Sequence, residues 1–370
     1  MSAVNGQVDD RLAGVVAALE RDLAADPDYS FQAAAYHGGR LILDIWAGPN
    51  VTEDSITVPY SVTKNVIGVS IGLALERGLL DLDERVATYW PEFAAAGKAE
   101  VTVRQLLSHQ AGLPQAEPAL TATELLDHRA GSDRLARTRP FWRPGTAFGY
   151  HALTIGNLAS ELIRRVTVQT LHDFYETQIR LPYGIDFYLG LPPEQDHRRV
   201  PLLPVAVPED VTRDEPTALG RLVFAPAAPD LDLGNDEVSW RFGHPAASGA
   251  GSARGLARLL AAAVTGVEGE APFLSRETVA RIGEQQVRGF DEVLGQPDRA
   301  HAIVFQKPSA QLRWGGPRSF GHDGAMGAVA CVDPATGVSF AYTLPRGPWP
   351  GGADPRAIRA AAAINEVLCA

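Results

Sequence analysis

Apolar positions in the stretch that follows Ser61 recur at the spacing of one helix face. Val62, Val66, Val69 and Leu73 lie three or four positions apart, as residues on one side of an α-helix do. The pattern therefore predicts a helix that begins near Ser61 and buries one face in the core.

The chain before this helix is predicted to form a surface helix and then a β-hairpin. Apolar residues between positions 12 and 23 are spaced amphipathically rather than continuously. Phe31–Tyr36 and Arg40–Trp46 flank His37-Gly38-Gly39, and a glycine pair between two apolar runs is typical of a hairpin turn.

The middle of the chain is predicted to be helical and then irregular. Val103–Leu107 is a short helix by pattern, and residues 120–180 are mainly helical. Residues 182–245 contain ten of the 27 prolines, so we expect loops that border the mouth of a substrate site rather than long regular elements. Ser252 is a candidate N-cap for the helix that follows.

The last third of the chain returns to strands, and its arrangement predicts the fold class. Ala302–Phe305, Ala328–Val332 and Val338–Leu344 are predicted strands, and Asp354–Leu368 is a final amphipathic helix. Strands at both ends with helices between them predict an α/β (α+β) fold with one antiparallel sheet built from the N- and C-terminal segments.

Two domains are expected from this order. Residues 1–90 and 250–370 would form the sheet domain, and residues 91–249 a helical, loop-rich insertion. We expect the active site in the cleft between them.

Composition narrows the possible functions. The net charge of −11 and the pI near 5.3 argue against a surface that tracks nucleic acid phosphates. The two cysteines, Cys331 and Cys369, form no disulfide framework or metal motif, so a reducing compartment is expected. The first residues lack a basic segment, and no apolar run reaches the roughly 20 residues of a membrane span. These features predict a soluble, cytoplasmic protein without a membrane partner.

Ser61 and Lys64 are the first candidates for chemistry. They lie at positions i and i+3 at the predicted helix start, so their side chains project together. The free N–H groups of a helix N-terminus favour a developing anion. The pair is therefore either a nucleophile with its base or a chance spacing on a solvated helix face.

A second serine motif has a weaker claim. Gly68-Val69-Ser70-Ile71-Gly72 matches the G-x-S-x-G elbow, in which the serine occupies a sharp turn between a strand and a helix. Here the match falls inside the predicted helix, so we expect Ser70 to face neighbouring helices rather than a cleft.

Two further landmarks follow in order, Tyr150 and His322-Asp323-Gly324. With Ser61-x-x-Lys64 they resemble the signature of the serine β-lactamase and penicillin-binding-protein superfamily, which reads S-x-x-K, Y-x-N and K-T-G. The run from Leu106 to Pro114 and the tripeptide at residues 144–146 are similar to further segments of that family. The resemblance covers roughly residues 30–345 and is closest to the esterase branch related to class C β-lactamases.

The resemblance implies roles for individual residues. Ser61 would be the nucleophile, and Lys64 or Tyr150 its base. The N–H groups of Ser61 and Ala325 would bind the oxyanion. The expected substrate-binding residues are His322, Asp323, Gly324, Trp314, Phe148 and Ala152. Trp142 and Trp240 are additional candidates for an apolar acyl pocket, although core packing is an equal alternative for each aromatic residue.

Departures from the family pattern bear on the substrate. Ala152 stands where penicillin-active members carry asparagine, and His322-Asp323 replaces Lys-Thr. An ordinary histidine is mostly neutral at pH 7, so recognition of a β-lactam carboxylate is weakened. We therefore expect weak or absent β-lactamase activity.

The leading hypothesis is a serine carboxylesterase that acts on small, fairly apolar esters. Alternatives are an acyltransferase of the same fold, an amidase or D-aminopeptidase, which is disfavoured because no cation for a free carboxylate is evident, and a binding protein whose site is unused. No metal or cofactor is implied, since the nine histidines show no ligand spacing. The expected partner is a small-molecule ester, and no nucleic acid.

Overall fold

A computed structural model describes residues 4–207, 215–224 and 231–369. Its centre is a six-stranded sheet in the order β1-β3-β2-β11-β10-β8, in which every pairing is antiparallel. The strands are β1 (Asn5–Val8), β2 (Phe31–His37), β3 (Arg40–Ala47), β4 (Phe187–Tyr188), β5 (Ala250–Gly251), β6 (Val287–Asp291), β7 (Gln296–His301), β8 (Phe320–Asp323), β9 (Met326–Gly327), β10 (Val329–Asp333), β11 (Val338–Thr343) and β12 (Gly352–Ala353).

The two ends of the chain meet in the middle of this sheet. Strand β11 pairs with β2 in a register that sets Ala341 opposite Ala34. The sheet is therefore built from N- and C-terminal segments, which confirms the predicted α/β fold with an antiparallel sheet.

Helices cover the sheet and make up most of the chain between its N-terminal and C-terminal strands. They are α1 (Ala13–Ala25), α2 (Lys64–Glu76), α3 (Val86–Tyr89), α4 (Val103–Leu107), α5 (Ala122–Leu125), α6 (Ala130–Arg137), α7 (Thr154–Thr167), α8 (Leu171–Tyr175), α9 (Leu181–Tyr183), α10 (Ala218–Phe224), α11 (Glu237–Phe242), α12 (Ala253–Val264), α13 (Arg276–Gly283) and α14 (Pro355–Cys369). Short 3-10 turns occupy Asp10–Leu12, Tyr60–Thr63, Pro91–Gly97 and Pro193–Arg198, and Glu176–Arg180 is a π-helical turn.

Alternation along β11 assigns helices to the two faces of the sheet. Ser339 donates a hydrogen bond to the Ala257 carbonyl of α12, so its side of β11 faces that helix. Tyr342 lies on the opposite side, since successive strand residues alternate. Its hydroxyl contacts Tyr29, whose ring lies under Arg356 of α14. Helices α12 and α14 therefore pack on opposite faces.

Helix α2 connects the sheet layer to the helical part of the chain. It contacts α12 and α13 as well as α7 and α8, and residues 64–75 are all buried. The start of this helix is therefore held from several directions. The domain boundaries at residues 90 and 250 stay a prediction.

Several local predictions agree with the structure. The hairpin of β2 and β3 turns at Gly38 and Gly39, which both have positive φ. Ser252 caps α12 by accepting the Gly255 N–H. The helix predicted to begin near Ser61 starts with the 3-10 turn Tyr60–Thr63 and becomes α-helical at Lys64.

The predicted strand at Ala302–Phe305 is wrong. The strand is β7, which ends at His301 and pairs with β6 in a hairpin that was not predicted. Residues 302–305 are instead an irregular buried segment, in which Val304 adopts a φ of 66°. A short apolar run marks burial but does not distinguish a strand from other buried backbone.

Other parts of the chain have fewer consequences for the site. The described residues include no helix long and apolar enough to cross a membrane. Cys331 is buried in β10, Cys369 is exposed at the end of α14, and both are free thiols. The proline-rich stretch 182–245 contains the short helices α10 and α11, and residues 208–214 and 225–230 lie outside the described residues.

Candidate active site

Ser61 occupies the 3-10 turn that leads into α2. The preceding residue, Tyr60, has a φ of 48°, a left-handed conformation that costs free energy in a non-glycine residue and that clusters at functional sites. The turn leaves the Ser61 side chain partly exposed, while Val62 and Thr63 are buried. The local backbone therefore presents one hydroxyl at the beginning of a buried helix.

Two other side chains meet at this hydroxyl. The Nζ atom of Lys64 is 3.0 Å from Ser61 Oγ, and the hydroxyl of Tyr150 is 2.8 Å from the same oxygen. Lys64 Nζ also lies 4.8 Å from the centre of the Tyr150 ring. Ser61, Lys64 and Tyr150 are thus within hydrogen-bonding distance, with the serine oxygen between the other two groups.

The Lys64 side chain is fully buried. Its Nζ donates a hydrogen bond of 2.7 Å to the Ala246 carbonyl, in the loop before β5. Burial holds the pKa of Lys64 well below its usual value, and the nearby Asp323 carboxylate opposes this shift only in part. An amine in this environment is biased toward its neutral form, in which it accepts a proton.

Contacts to both the backbone and the ring fix the position of Tyr150. Its N–H donates to Oδ1 of Asp291 at 3.1 Å, and the same oxygen accepts the N–H groups of Val293 and Leu294 at 2.9 and 2.8 Å. Burial raises the pKa of the Tyr150 phenol, while the hydrogen bond that the phenol donates to Ser61 Oγ acts in the opposite direction. The phenol is therefore biased toward its protonated form.

Three histidine rings surround the Tyr150 ring. His109, His322 and His301 have ring centres 5.3, 5.8 and 6.1 Å away, and His301 is nearly parallel to the tyrosine. All three are fully buried, and burial lowers the pKa of each. They therefore form a neutral aromatic wall that fixes the direction of the phenol.

The N–H groups expected to bind an oxyanion are free of protein acceptors. In the described part of the chain, neither the Ser61 nor the Ala325 N–H has a hydrogen-bond acceptor. Gly324 packs tightly here, because a Cβ at this position would lie 2.2 Å from the Pro59 carbonyl oxygen. That close approach brings the turn after β8 against the turn that carries Ser61.

Most of the other predicted site residues lie close to Tyr150 or to the residues that surround it. His322 has its Nδ1 2.7 Å from the Asp323 carbonyl, and its Nε2 has no partner among the described residues. Asp323 accepts the Ala353 N–H. Phe148 contacts the ring of His301, and Ala152 belongs to an apolar cluster with Tyr150 and Val293.

Trp314 is placed elsewhere. It is fully buried in the main core, and its carbonyl is bound by Asn365 of α14. The structure therefore does not bring it to Ser61. Trp142 lies at the edge of the Tyr150 cluster, whereas Trp240 packs with Ile56 and Val58 in a separate cluster.

Ser70 is also away from any cleft. It is fully buried within α2, and its hydroxyl has no partner in the described residues. The G-x-S-x-G match is therefore an internal helix segment, as its position in the sequence predicts.

Sequence reasoning missed residues that hold the site together. Asp291 and His301 lie on the unpredicted β6–β7 hairpin, 3.7 Å apart. His109 lies in the turn that follows α4, a segment whose sequence stood out, but nothing in the sequence placed its ring beside Tyr150. The Ala246 carbonyl carries no side-chain signal at all. No group of three or more His, Cys, Asp or Glu residues suited to a metal ion occurs within residues 4–207, 215–224 and 231–369.

Comparison with known proteins adds independent information. The family model described as Beta-lactamase matches residues 16–364. The esterase/beta-lactamase LipL of Mycobacterium tuberculosis is 32% identical over 365 residues, covering 91% of this chain and 82% of LipL.

Solved structures give the same picture. EstA from Arthrobacter nitroguajacolicus Rue61a superposes with a TM-score of 0.92 at 39% identity, covering 98% of both chains. A family VIII carboxylesterase superposes with a TM-score of 0.89 at 30% identity, covering 98% of this chain and 99% of the other.

Proposed function

Because the chain belongs to the beta-lactamase family, we propose that it is a serine carboxylesterase that cleaves small carboxylic esters through an acyl-enzyme on Ser61. The observation that carries this proposal is the pair of hydrogen bonds that Ser61 Oγ makes with Lys64 and Tyr150. The esterase names of LipL and the family VIII structure support the choice of ester over other acyl compounds.

The directions of the two pKa shifts favour Lys64 as the base. A serine hydroxyl is a poor nucleophile until a neighbouring group takes its proton. Burial biases Lys64 toward the neutral amine and Tyr150 toward the neutral phenol, so the amine has the lone pair and the phenol does not. In this assignment Ser61 Oγ attacks the ester carbonyl while its proton passes to Lys64 Nζ.

Tyr150 then serves as the proton donor to the leaving group. When the tetrahedral intermediate collapses, the C–O bond to the alcohol breaks and the departing oxygen takes the phenol proton. The ammonium of Lys64 returns a proton to Tyr150, which leaves an acyl-Ser61 with both groups neutral again. Water then attacks the acyl carbonyl in place of the alcohol and gives its proton to the catalytic groups. Ser61 Oγ departs with a proton returned by the same groups, and the carboxylic acid is released. The wall of neutral histidines supports this role because it holds the phenol beside Ser61.

The oxyanion would be held by two backbone donors. The N–H groups of Ser61 and Ala325 have no acceptors in the described residues, so they are available to the negative oxygen of the intermediate. Removal of one such donor typically lowers the rate about 10²–10³-fold.

The surroundings of Tyr150 suit an apolar ester. Ala152, Val223 and Val293 cluster with Tyr150, and Leu219 packs at the edge of this group. Val223 and Leu219 belong to α10, within the proline-rich stretch. These side chains would contact the acyl chain or the alcohol of the substrate.

β-Lactam turnover is expected to be weak. The position where penicillin-active relatives carry a lysine holds His322, which is fully buried and has a lowered pKa because of that burial. A neutral imidazole supplies no fixed charge at this position on β8, where the lysine of penicillin-active relatives stands. Turnover of a penicillin as fast as that of an ester would contradict this expectation.

Covalent labelling tests the proposal. A fluorophosphonate probe should label the wild-type protein at Ser61, and the Ser61→Ala variant should neither label nor hydrolyse nitrophenyl butyrate. Ser70→Ala is the matched control, because its hydroxyl is buried without a partner, and it should label as the wild type does. Labelling at any other serine, or hydrolysis that survives in Ser61→Ala, would overturn the proposal.

A further inference from the structure

Arg299 is a buried arginine that borders the catalytic groups. It lies in β7, and only 6% of the residue surface is exposed. Residues two apart in a strand project to the same face, so Arg299 shares a face with His301. The ring of His301 stacks on Tyr150, and β7 is joined to β8, which carries His322, through bridges that Gln306 makes to both strands.

The guanidinium has no partner of its own. Within the described residues, no hydrogen bond or ion pair involves the Arg299 side chain. Its neighbour across the hairpin is Gly289, which has no side chain to contact it. Arg288, by contrast, lies one residue along on β6 and is exposed, and it forms an ion pair of 2.6 Å with Asp298.

The acidic groups near the site are already occupied. Asp291 accepts three backbone N–H groups and lies beside His301. Asp323 accepts the Ala353 N–H and contacts His322. Neither carboxylate comes within ion-pair distance of Arg299, so no anion of the described chain neutralises it.

The guanidinium is open to an anion that arrives from solvent. Its nitrogens have no partner in the described residues and are not among the fully buried polar atoms that lack one, so they reach solvent although most of the side chain is buried. The charge is felt at the site, because it opposes protonation of His301 and His322 and favours ionisation of Tyr150, although burial is the larger influence on all three pKa values. A guanidinium without a protein partner, reachable from solvent and close to the nucleophile, is suited to binding an anion that arrives with the substrate.

We propose that Arg299 recognises a carboxylate carried by the substrate, so that the preferred substrates are esters with a free carboxylate group. This inference rests on the proposed esterase function and names its substrate class. A planar guanidinium offers two parallel N–H donors that match the two oxygens of a carboxylate. Lys64 is engaged with Ser61 and Ala246, and the surrounding histidines are biased to neutrality, so Arg299 is the group that supplies fixed positive charge.

Matched ester pairs test this substrate class. In the first pair, the nitrophenyl ring of a butyrate ester carries either a carboxylate or the neutral carboxamide of the same shape. In the second pair, the ester is formed by one end of adipic acid. The other end of that acyl chain is either a free carboxylate or the corresponding carboxamide. The ratio of kcat/KM for the charged and neutral member is the readout, and the two pairs show which side of the ester bond faces Arg299.

The wild type should prefer the charged member of at least one pair. Arg299→Gln should lower that ratio roughly 10- to 100-fold, the range expected for a lost hydrogen bond to a charged group. Arg299→Lys should give an intermediate ratio, because it keeps the charge without the paired donors. Arg288→Gln removes an exposed arginine from the adjacent strand and should leave the ratio at its wild-type value.

Equal loss of charged and neutral esters in Arg299→Gln would overturn the inference, since Arg299 would then act on the catalytic groups or on the fold. Absence of a charged-ester preference in a wild type that hydrolyses the neutral ester would also overturn it. If the wild type cleaves no ester of either kind, the proposed function itself has failed.

Thermal unfolding provides a second readout that is independent of turnover. Adipate should raise the Tm of the wild type and of Ser61→Ala, and should have a smaller effect on Arg299→Gln. Without adipate, Arg299→Gln should unfold at the same temperature as the wild type or higher, because it removes an unpaired charge. A large fall in its Tm would indicate a structural role and contradict the inference.

Discussion

The hydroxyl of Tyr150 lies 2.8 Å from Ser61 Oγ although 89 positions separate the two residues in the chain. Ser61 begins the helix at the edge of the sheet layer, and Tyr150 precedes α7, so the contact joins two parts of the fold. Asp291 and the histidine wall hold Tyr150 at that distance.

Replacement of Lys64 by methionine should abolish acylation. Methionine fills a similar volume but has no basic nitrogen to take the serine proton, so kcat should fall about 10²–10⁴-fold, the usual contribution of a general base. The loss should be equal for nitrophenyl and alkyl esters, because deprotonation of Ser61 precedes departure of either alcohol. Stopped-flow measurement of the acylation burst checks this.

Replacement of Tyr150 by phenylalanine should depend on the leaving group. An alkoxide needs a proton to depart whereas nitrophenolate does not, so turnover of an ethyl ester should fall far more than turnover of a nitrophenyl ester. A loss that is the same for both esters would assign Tyr150 to activation of Ser61 instead. The variant should fold normally because the aromatic ring is retained, and circular dichroism checks this.

Stability should fall in mild acid because of the buried histidines. His109, His301 and His322 have lowered pKa values in the folded protein because of burial, whereas unfolded histidine titrates near 6.5. As pH falls below about 6.5, the unfolded state binds protons that the folded state does not, so the free energy of unfolding decreases. Each group contributes up to about 1.4 kcal/mol per pH unit.

Urea unfolding between pH 5 and pH 8 measures this effect. His301→Gln should reduce the slope, and a slope that does not change in this variant would contradict the assignment.

Addition of one methyl group at Gly324 should damage the oxyanion site. A Cβ there would lie 2.2 Å from the Pro59 carbonyl oxygen, so Gly324→Ala must push the turn after β8 away from Ser61. The Ala325 N–H moves with that turn, and kcat should fall about 10²–10³-fold. Gly14→Ala is the control, because Gly14 is an exposed residue of α1 with no atom near its Cβ position, and it should slightly stabilise the helix.

A value of kcat for Gly324→Ala within twofold of the wild type would show that the turn relaxes without disturbing the site. Comparison of KM in the same experiment separates loss of oxyanion stabilisation, which lowers kcat, from obstruction of the substrate, which raises KM.

The sequence by itself determined the elements with strong local signals. The spacing of apolar residues after Ser61 predicted α2, the glycine pair at 38 and 39 predicted the hairpin, and Ser252 marked the start of α12, because each of these signals acts between residues close in the chain. The order of Ser61, Lys64, Tyr150 and His322 also singled out the residues that lie together in the structure.

Only the tertiary structure decided what surrounds them. The β6–β7 hairpin escaped prediction because its residues alternate poorly between apolar and polar, and the apolar run at 302–305 was more prominent. Asp291, His301 and Arg299 therefore had no visible place near Ser61. The burial of Lys64 and of the histidine wall depends on packing between distant segments, so their charge states are properties of the folded protein that local sequence does not encode.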